Sequence, residues 1–168
     1  GHRGVKNPTT APFPAAPGLF VCPPNKLCMD LDDRDVSYIP GTPYIGGNAP
    51  EVAGPGGYRG EFIAWDATTG RKVWGIKEPY PVWGGALATK GDVVFYATLD
   101  GWFKAAQART GAVLREVKVG PRVAGTPRNY LGPDGQHTWA VCTRDHLAMD
   151  RHPARPPPPR PPRPLRAP

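Results

Sequence analysis

The sequence predicts an all-β fold assembled from similar units of about forty residues. Three observations lead to this prediction: a hairpin phrase that recurs, short apolar runs separated by turn residues, and the absence of helical periodicity. The phrase AWDATTGRKVW, residues 64–74, has the composition of a β-hairpin, with Thr69-Gly70 in its turn. Because a lone hairpin is marginal in water, we expect this one to belong to a larger repeated structure.

The phrase recurs 41 residues later as AAQARTGAVLR, residues 105–115, with Thr110-Gly111 in the place of the first turn. Two positions that define the phrase are not kept in the second copy: Asp66 becomes Gln107, and Trp74 becomes Arg115. A repeat of about forty residues with four short strands in each unit is typical of a β-propeller blade. The sequence therefore predicts propeller blades.

Short apolar runs predict where the strands lie. The predicted strands are 19–22, 27–31, 61–66, 71–77, 84–89, 92–98, 102–106 and 112–119. A further hairpin, YLGPDGQHTWAV, has Pro133-Asp134-Gly135 as its turn. The segment 38–60 is dense in Gly and Pro and is expected to be a long loop, either functional or poorly ordered.

The positive charge of the chain is concentrated in its C-terminal tail. Residues 151–168 contain nine Pro and five Arg, and these Arg supply five of the formal net charge of +7. No hydrophobic period exists there, so this segment is expected to be disordered. A basic tail is poor evidence for a nucleic-acid groove, and we expect no nucleic-acid partner. No apolar run is long enough to span a membrane.

The cysteines and the N-terminus give weaker indications. Cys22, Cys28 and Cys142 show no C-x-x-C spacing, so a zinc site is not expected. The chain opens GHRGVKNPTT, with neither an initiator Met nor an apolar leader. This opening indicates either a mature N-terminus or a fragment.

Several long phrases resemble one family of enzymes. NKLCMDL, RGEFIAWDATTGRKVW and EPYPVWGGALATKGDVVFYATLDGWFKA are similar to the C-terminal third of the pyrroloquinoline-quinone (PQQ)-dependent methanol dehydrogenases. The loop VSYIPGTPYIGGN…GPGGYRGEF most resembles their lanthanide-dependent, Xox-type branch. The resemblance implies that residues 1–141 are the last blades of an eight-bladed quinoprotein propeller, and that residues 142–168 are a separate Pro/Arg-rich tail.

The resemblance also gives roles to individual residues. The pattern A-x-D-x-x-x-G-x-x-x-W is the tryptophan-docking motif of the family, so Trp74 is expected to stack on the neighbouring blade. Asn7 aligns with an asparagine that hydrogen-bonds the quinone, although an Asn before Pro8 is by itself a common turn residue. Trp83 aligns with a family tryptophan that lies at the cofactor. The alternative, that Trp83 is a packing residue of the core, stays equally open. Gly84-Gly85 would allow close backbone approach.

Other aromatic and cysteine residues are interpreted structurally. Trp65 and Trp102 are expected to be packing or surface aromatics, and Cys22 a small buried hydrophobe. Cys28 aligns with half of a family disulfide whose partner would precede Gly1, so it is expected to be an unpaired thiol. A disulfide there would imply an oxidising compartment, the periplasm.

The family oxidises primary alcohols to aldehydes and passes the electrons singly to a cytochrome c. The quinone is polarised by a lanthanide or Ca²⁺ ion, and an aspartate takes the hydroxyl proton. The resemblance implies that this aspartate and the metal ligands lie upstream, so no catalytic or metal-binding residue is assigned in this chain. The chain alone is expected to be inactive, and the intact protein to be a homodimer.

Two other functions stay open. Related blade repeats form non-enzymatic scaffolds that bind protein partners, but a scaffold needs neither Asn7 nor Trp83. A Pro-rich adaptor that binds an SH3-like groove or an acidic surface is supported by the tail alone. After Val141 the chain departs from the glycine-rich ending of the family, and we interpret the departure as a one-base frameshift near codon 142.

Overall fold

The structure, a computed structural model, describes residues 11–12, 18–33, 35, 37–42, 46–143 and 163–166, the last four as backbone only. Within these ranges it has fourteen strands and no helix, as the sequence predicts. It follows that these ranges contain no helix long and apolar enough to cross a membrane. Asn7 and residues 144–162 lie outside them.

In chain order the strands are β1 (Leu19–Cys22), β2 (Leu27–Met29), β3 (Asp32–Asp33), β4 (Gly47–Asn48), β5 (Glu51–Ala53), β6 (Gly60–Asp66), β7 (Arg71–Glu78), β8 (Leu87–Ala88), β9 (Val93–Ala97), β10 (Trp102–Gln107), β11 (Val113–Lys118), β12 (Arg128–Leu131), β13 (His137–Val141) and β14 (Arg163–Arg166).

Three antiparallel sheets follow one another along the chain, and we call them the first, second and third blades. Their strand orders are β1-β6-β7, β11-β10-β9-β8 and β12-β13-β14. In the second blade β11 is almost wholly exposed, whereas β8 and β9 are more buried. We therefore take β11 as the outer edge of this blade and β8 as its inner edge.

The predicted strands are found with shifted boundaries. The largest difference is at 84–89, where only Leu87–Ala88 pairs as a strand, because Gly84 packs against the backbone of Gly125 instead. The segment 38–60 was expected to be a loop, yet it contains β4 and β5, which pair with β3 and β2. These two ribbons form an insertion between β1 and β6.

The third blade includes a strand from the Pro/Arg-rich tail. Arg163–Arg166 pairs antiparallel with β13 at Thr138–Val141. The side chains of this strand are not described. The division of the chain into residues 1–141 and 142–168 stays a prediction, as does the frameshift.

The two copies of the hairpin phrase have the same backbone. The amide of Gly70 donates to the carbonyl of Asp66, and the amide of Gly111 to that of Gln107, both at 2.9 Å. Both glycines have positive φ, +66° and +74°, a conformation that costs glycine little. In the first copy the amides of Thr68 and Thr69 also donate to the Asp66 carboxylate, and these hydrogen bonds lower the pKa of Asp66.

Trp74 joins the first blade to the second. Its indole Nε1–H donates to the carbonyl oxygen of Ala108 at 2.9 Å, and its ring packs directly on Gly111, where a Cβ would lie 2.7 Å from the ring atoms. Ala108 and Gly111 belong to the second copy of the hairpin phrase. The expected docking of Trp74 is therefore confirmed.

The second copy does not repeat this contact. Arg115, which replaces the tryptophan, is exposed on β11. No atom of the described residues comes within 4 Å of a Cβ built on Gly70, the counterpart of Gly111. Within the described part of the chain, a tryptophan therefore packs on Gly111 of the second hairpin, and none packs on Gly70 of the first.

A buried polar group reinforces the contact between the first and second blades. Glu78, at the end of β7, is 2% exposed and accepts hydrogen bonds from Tyr96 Oη at 2.8 Å and Lys104 Nζ at 2.9 and 3.0 Å. Burial, and then the Glu78 charge, raise the pKa of Tyr96, so its phenol stays a neutral donor. The Tyr96 ring stacks on Phe62 of β6, with centroids 3.9 Å apart.

The second and third blades meet through a separate apolar cluster. Phe95 of β9 stacks on Trp139 of β13 with ring centroids 3.9 Å apart, and the Phe103 ring lies 5.7 Å from that of Phe95. Val123 and Val141 complete this cluster with little or no exposure. Here aromatic stacking joins the blades without an indole hydrogen bond to the neighbouring hairpin among the described residues.

The two turn glycines allow the docking contact to be measured. Gly111→Ala should destabilise the chain by about 2–4 kcal/mol, because a Cβ at positive φ is strained and also displaces the Trp74 ring. Gly70→Ala has the same strain but meets no atom, so it should cost about 1 kcal/mol. Urea unfolding followed by circular dichroism gives the difference, and equal losses would contradict the docking role of Gly111.

The buried ion pair gives a second prediction. Glu78→Gln should lower the free energy of unfolding by about 3–5 kcal/mol, since it leaves the Lys104 ammonium without its buried carboxylate. Glu116→Gln is the matched control, because its carboxylate lies 3.7 Å from the same ammonium but is 52% exposed. That change should cost less than about 1 kcal/mol. Urea unfolding of both variants measures the contrast, and similar effects would argue against a structural role for burial of Glu78.

Candidate functional site

The candidate site lies on the connection between β7 and β8. This connection is fixed from two sides: the Pro81 carbonyl accepts a hydrogen bond from the amide of Leu99 at 3.2 Å, and the Tyr80 carbonyl packs on Gly60. Val82 is 1% exposed. Since the backbone is held at Tyr80 and Pro81 and Val82 is buried, the next residue, Trp83, is placed at the start of the inner edge of the second blade.

Trp83 lies between two blades. Its indole Nε1 is inaccessible to solvent although the residue as a whole is only partly buried. The guanidinium of Arg122 lies over its ring, with Cζ 5.5 Å from the ring centroid, within the range of a cation–π contact. Arg122 belongs to the connection between β11 and β12, which leads into the third blade.

The connection that carries Arg122 is also held at both ends. The Gly120 carbonyl packs tightly on Gly101, and Val123 forms an antiparallel bridge with Thr143. Val123 is fully buried. The backbone is therefore held on both sides of Arg122. The half-buried side chain of Arg122 extends over the Trp83 indole, which lies on the neighbouring connection.

The close approach expected at Gly84-Gly85 comes from the protein itself. A Cβ on Gly84 would lie 2.9 Å from the carbonyl oxygen of Gly125 and 3.6 Å from that of Ala97. The glycine therefore lets the inner connections of the second and third blades touch. This contact also explains why the predicted strand 84–89 begins only at Leu87.

The remaining candidates have different outcomes. Asn7 lies outside the described residues, so a shared site for Asn7 and Trp83 stays a prediction. Cys22 is buried in β1, as expected, and Cys28 is an exposed thiol. Trp65 is 39% exposed, and Trp102 is half-buried beneath the Lys118 ammonium. The described ranges contain no group of three His, Cys, Asp or Glu side chains that could hold a metal ion.

Sequence reasoning missed Arg122. The residue stands in GPRVAG, a Gly/Pro-rich connection in which an arginine is ordinarily a solvated surface residue. No local pattern links it to Trp83, 39 positions earlier. The only available signal was its place between the second blade and the following hairpin.

Comparison with known proteins decides the family. The chain is 42% identical, over 141 residues, to the lanthanide-dependent methanol dehydrogenase of Methylacidiphilum fumariolicum. It also superposes on a solved europium-containing methanol dehydrogenase with a TM-score of 0.75 and 41% identity, over 83% of this chain and 25% of that one. The chain belongs to the PQQ-dependent methanol dehydrogenase family. Its resemblance to the lanthanide-dependent branch is thereby confirmed, and its sheets are blades of that propeller.

The match covers most of this chain but a small part of its relatives. For the Methylacidiphilum methanol dehydrogenase the covered shares are 82% of this chain and 23% of the relative. Methanol dehydrogenase [cytochrome c] subunit 1 of Methylobacterium organophilum is 38% identical over 125 residues, 71% of this chain and 20% of the relative. No protein-family model matches the chain.

The Gly84 contact can be tested by adding one methyl group. Gly84→Ala should destabilise the chain by about 1–3 kcal/mol, because the new Cβ meets a backbone carbonyl that has little room to move. Gly91→Ala is the control: its Cβ would come no closer than 3.9 Å to Thr89 Oγ1, and its φ is not positive. Urea unfolding should show almost no change for the control. An equally small change for Gly84→Ala would count against the blade contact.

Proposed function

We propose that this chain forms one arc of the cofactor site in a PQQ-dependent alcohol dehydrogenase. The whole protein would oxidise a small primary alcohol to an aldehyde and pass the electrons to a cytochrome c. The observation that carries the proposal is the position of Trp83 at the inner edge of a blade, against the connection to the next blade, in a member of this family.

The residues present fit such a cofactor. PQQ is a planar, acidic quinone, which needs hydrogen-bond donors at its carbonyl and carboxylate oxygens. Trp83 offers an indole N–H, which is a donor only, and an aromatic ring that is held in place by fixed backbone on one side. When bound, the quinone supplies the two-electron chemistry, while the protein binds and orients it. Asn7 is proposed as a second hydrogen-bonding residue of the same arc.

The metal of the whole protein is proposed to be a lanthanide, with Ca²⁺ as the alternative. The lanthanide-dependent methanol dehydrogenase is 42% identical to this chain, and the europium-containing methanol dehydrogenase is 41% identical. Methanol dehydrogenase [cytochrome c] subunit 1 is 38% identical. Such an ion would supply Lewis-acid chemistry at the quinone. No residue of this chain is proposed as its ligand or as the catalytic base.

The partners and location follow from the same proposal. A cytochrome c is the proposed electron acceptor, in keeping with the name of the Methylobacterium relative. The periplasm is the proposed compartment, and a homodimer the proposed assembly. A protein purified from the complete coding region should release PQQ on denaturation and, once loaded with a lanthanide, reduce cytochrome c in the presence of methanol.

The contribution of Trp83 can be measured by titrating PQQ into the cofactor-free protein produced from the complete coding region. Trp83→Phe should weaken binding about tenfold, because one buried hydrogen bond to a charged or carbonyl oxygen is lost. Trp65→Phe, an exposed tryptophan on β6, should leave the dissociation constant unchanged. Quenching of intrinsic fluorescence follows the titration, with equilibrium dialysis as an independent measure because both variants remove a fluorophore.

Two results would contradict the proposal in different ways. If the unsubstituted protein does not bind PQQ, the non-enzymatic scaffold becomes the better account of this chain. If the protein binds PQQ and Trp83→Phe binds it as tightly, the cofactor assignment survives but Trp83 is a packing residue.

A further inference from the structure

We infer that Arg122 is a second cofactor-binding residue, whose guanidinium binds a carboxylate of PQQ beside the indole of Trp83. The inference rests on the proposed function, because it takes Trp83 as part of the cofactor site. It adds a cationic residue, on the connection between β11 and β12, to a site for which sequence resemblance supplied Asn7 and Trp83.

The position of Arg122 supports this role. Its Cζ lies 5.5 Å from the centroid of the Trp83 ring, so a ligand that accepts a hydrogen bond from one of these side chains is within reach of the other. Trp83 lies on the connection from β7 to β8, and Arg122 lies on the connection from β11 to β12. The contact between Gly84 and Gly125 holds these two connections together. The pair is therefore fixed by backbone packing.

The charge of Arg122 is not neutralised within the described part of the chain. None of the carboxylates there forms an ion pair with it. By contrast, the Arg109 Nε lies 2.9 Å from Asp92 Oδ2, and the half-buried Lys104 is paired with Glu78. A partly buried cation without a carboxylate partner is costly unless an anion binds beside it.

The chemistry of the guanidinium suits an acidic aromatic ligand. An arginine can stack on an indole through its plane and still donate two parallel N–H groups to a carboxylate in that plane. PQQ carries carboxylates on its ring system, and the Arg122 guanidinium, which lies over the Trp83 ring, would bind one of them beside the indole. A lysine at the same place offers a point charge without this paired geometry.

The test compares binding of PQQ and of its trimethyl ester, which has the same ring system but no negative carboxylates. The cofactor-free protein produced from the complete coding region is titrated with each compound by equilibrium dialysis, at low and at high salt. The variants are Arg122→Gln and Arg122→Lys, with Arg128→Gln as the control because Arg128 is an exposed arginine at the start of β12. Circular dichroism confirms that each variant is folded.

Arg122→Gln should weaken PQQ binding about tenfold and change ester binding by less than about twofold, since only the acid offers an anion to the guanidinium. Arg122→Lys should bind PQQ with intermediate affinity and keep the loss of affinity at high salt, which Arg122→Gln should largely remove. Arg128→Gln should match the unsubstituted protein with both compounds.

Three outcomes would overturn the inference. Equal losses of PQQ and ester binding in Arg122→Gln would mean that the arginine only packs on Trp83. Unchanged PQQ binding in Arg122→Gln, with Trp83→Phe weakened, would leave the proposed function intact and remove Arg122 from the site. Failure of the unsubstituted protein to bind PQQ would contradict the proposed function itself, and this inference with it.

Discussion

The contact of the Trp74 indole with the neighbouring hairpin is the interaction on which the arrangement of the first two blades depends. It combines a hydrogen bond to the carbonyl of Ala108 with packing on Gly111. A hydrogen bond of this kind is worth about 0.5–1.5 kcal/mol, but it also fixes direction, because the ring fits only where the hairpin presents a glycine. Placing the end of β7 in this way places the connection that carries Trp83.

The two contacts between blades are built differently. The first uses a docked tryptophan and a buried carboxylate, Glu78, whereas the second uses the stack of Phe95 on Trp139 and the approach of two glycine-containing connections. The replacement of the second docking tryptophan by Arg115 is consistent with this difference. The repeat therefore determines the hairpin, while the side chains at its variable positions determine how each blade meets the next.

The position of the candidate site is set by these contacts between blades, because neither of its residues belongs to a strand. Trp83 and Arg122 both lie on connections, where the backbone is free of ladder hydrogen bonds and can turn a side chain toward a neighbouring blade. Functional residues are common on connections held by a rigid scaffold. The buried contacts on either side supply that rigidity here, and the family relationship supplies the chemistry that such a site would serve.

The sequence by itself determined the all-β class, the recurring hairpin, the docking tryptophan and the family, because alternation, turn residues and long phrases are local properties of the chain. It could not place the strand boundary at Leu87 or the pairing of Glu78 with Lys104, since both depend on which blade lies against which. The proximity of the Arg122 guanidinium to the Trp83 ring also depends on how the blades pack. Only the packing of the blades brings those two side chains together, because nothing in the local pattern of either segment refers to the other.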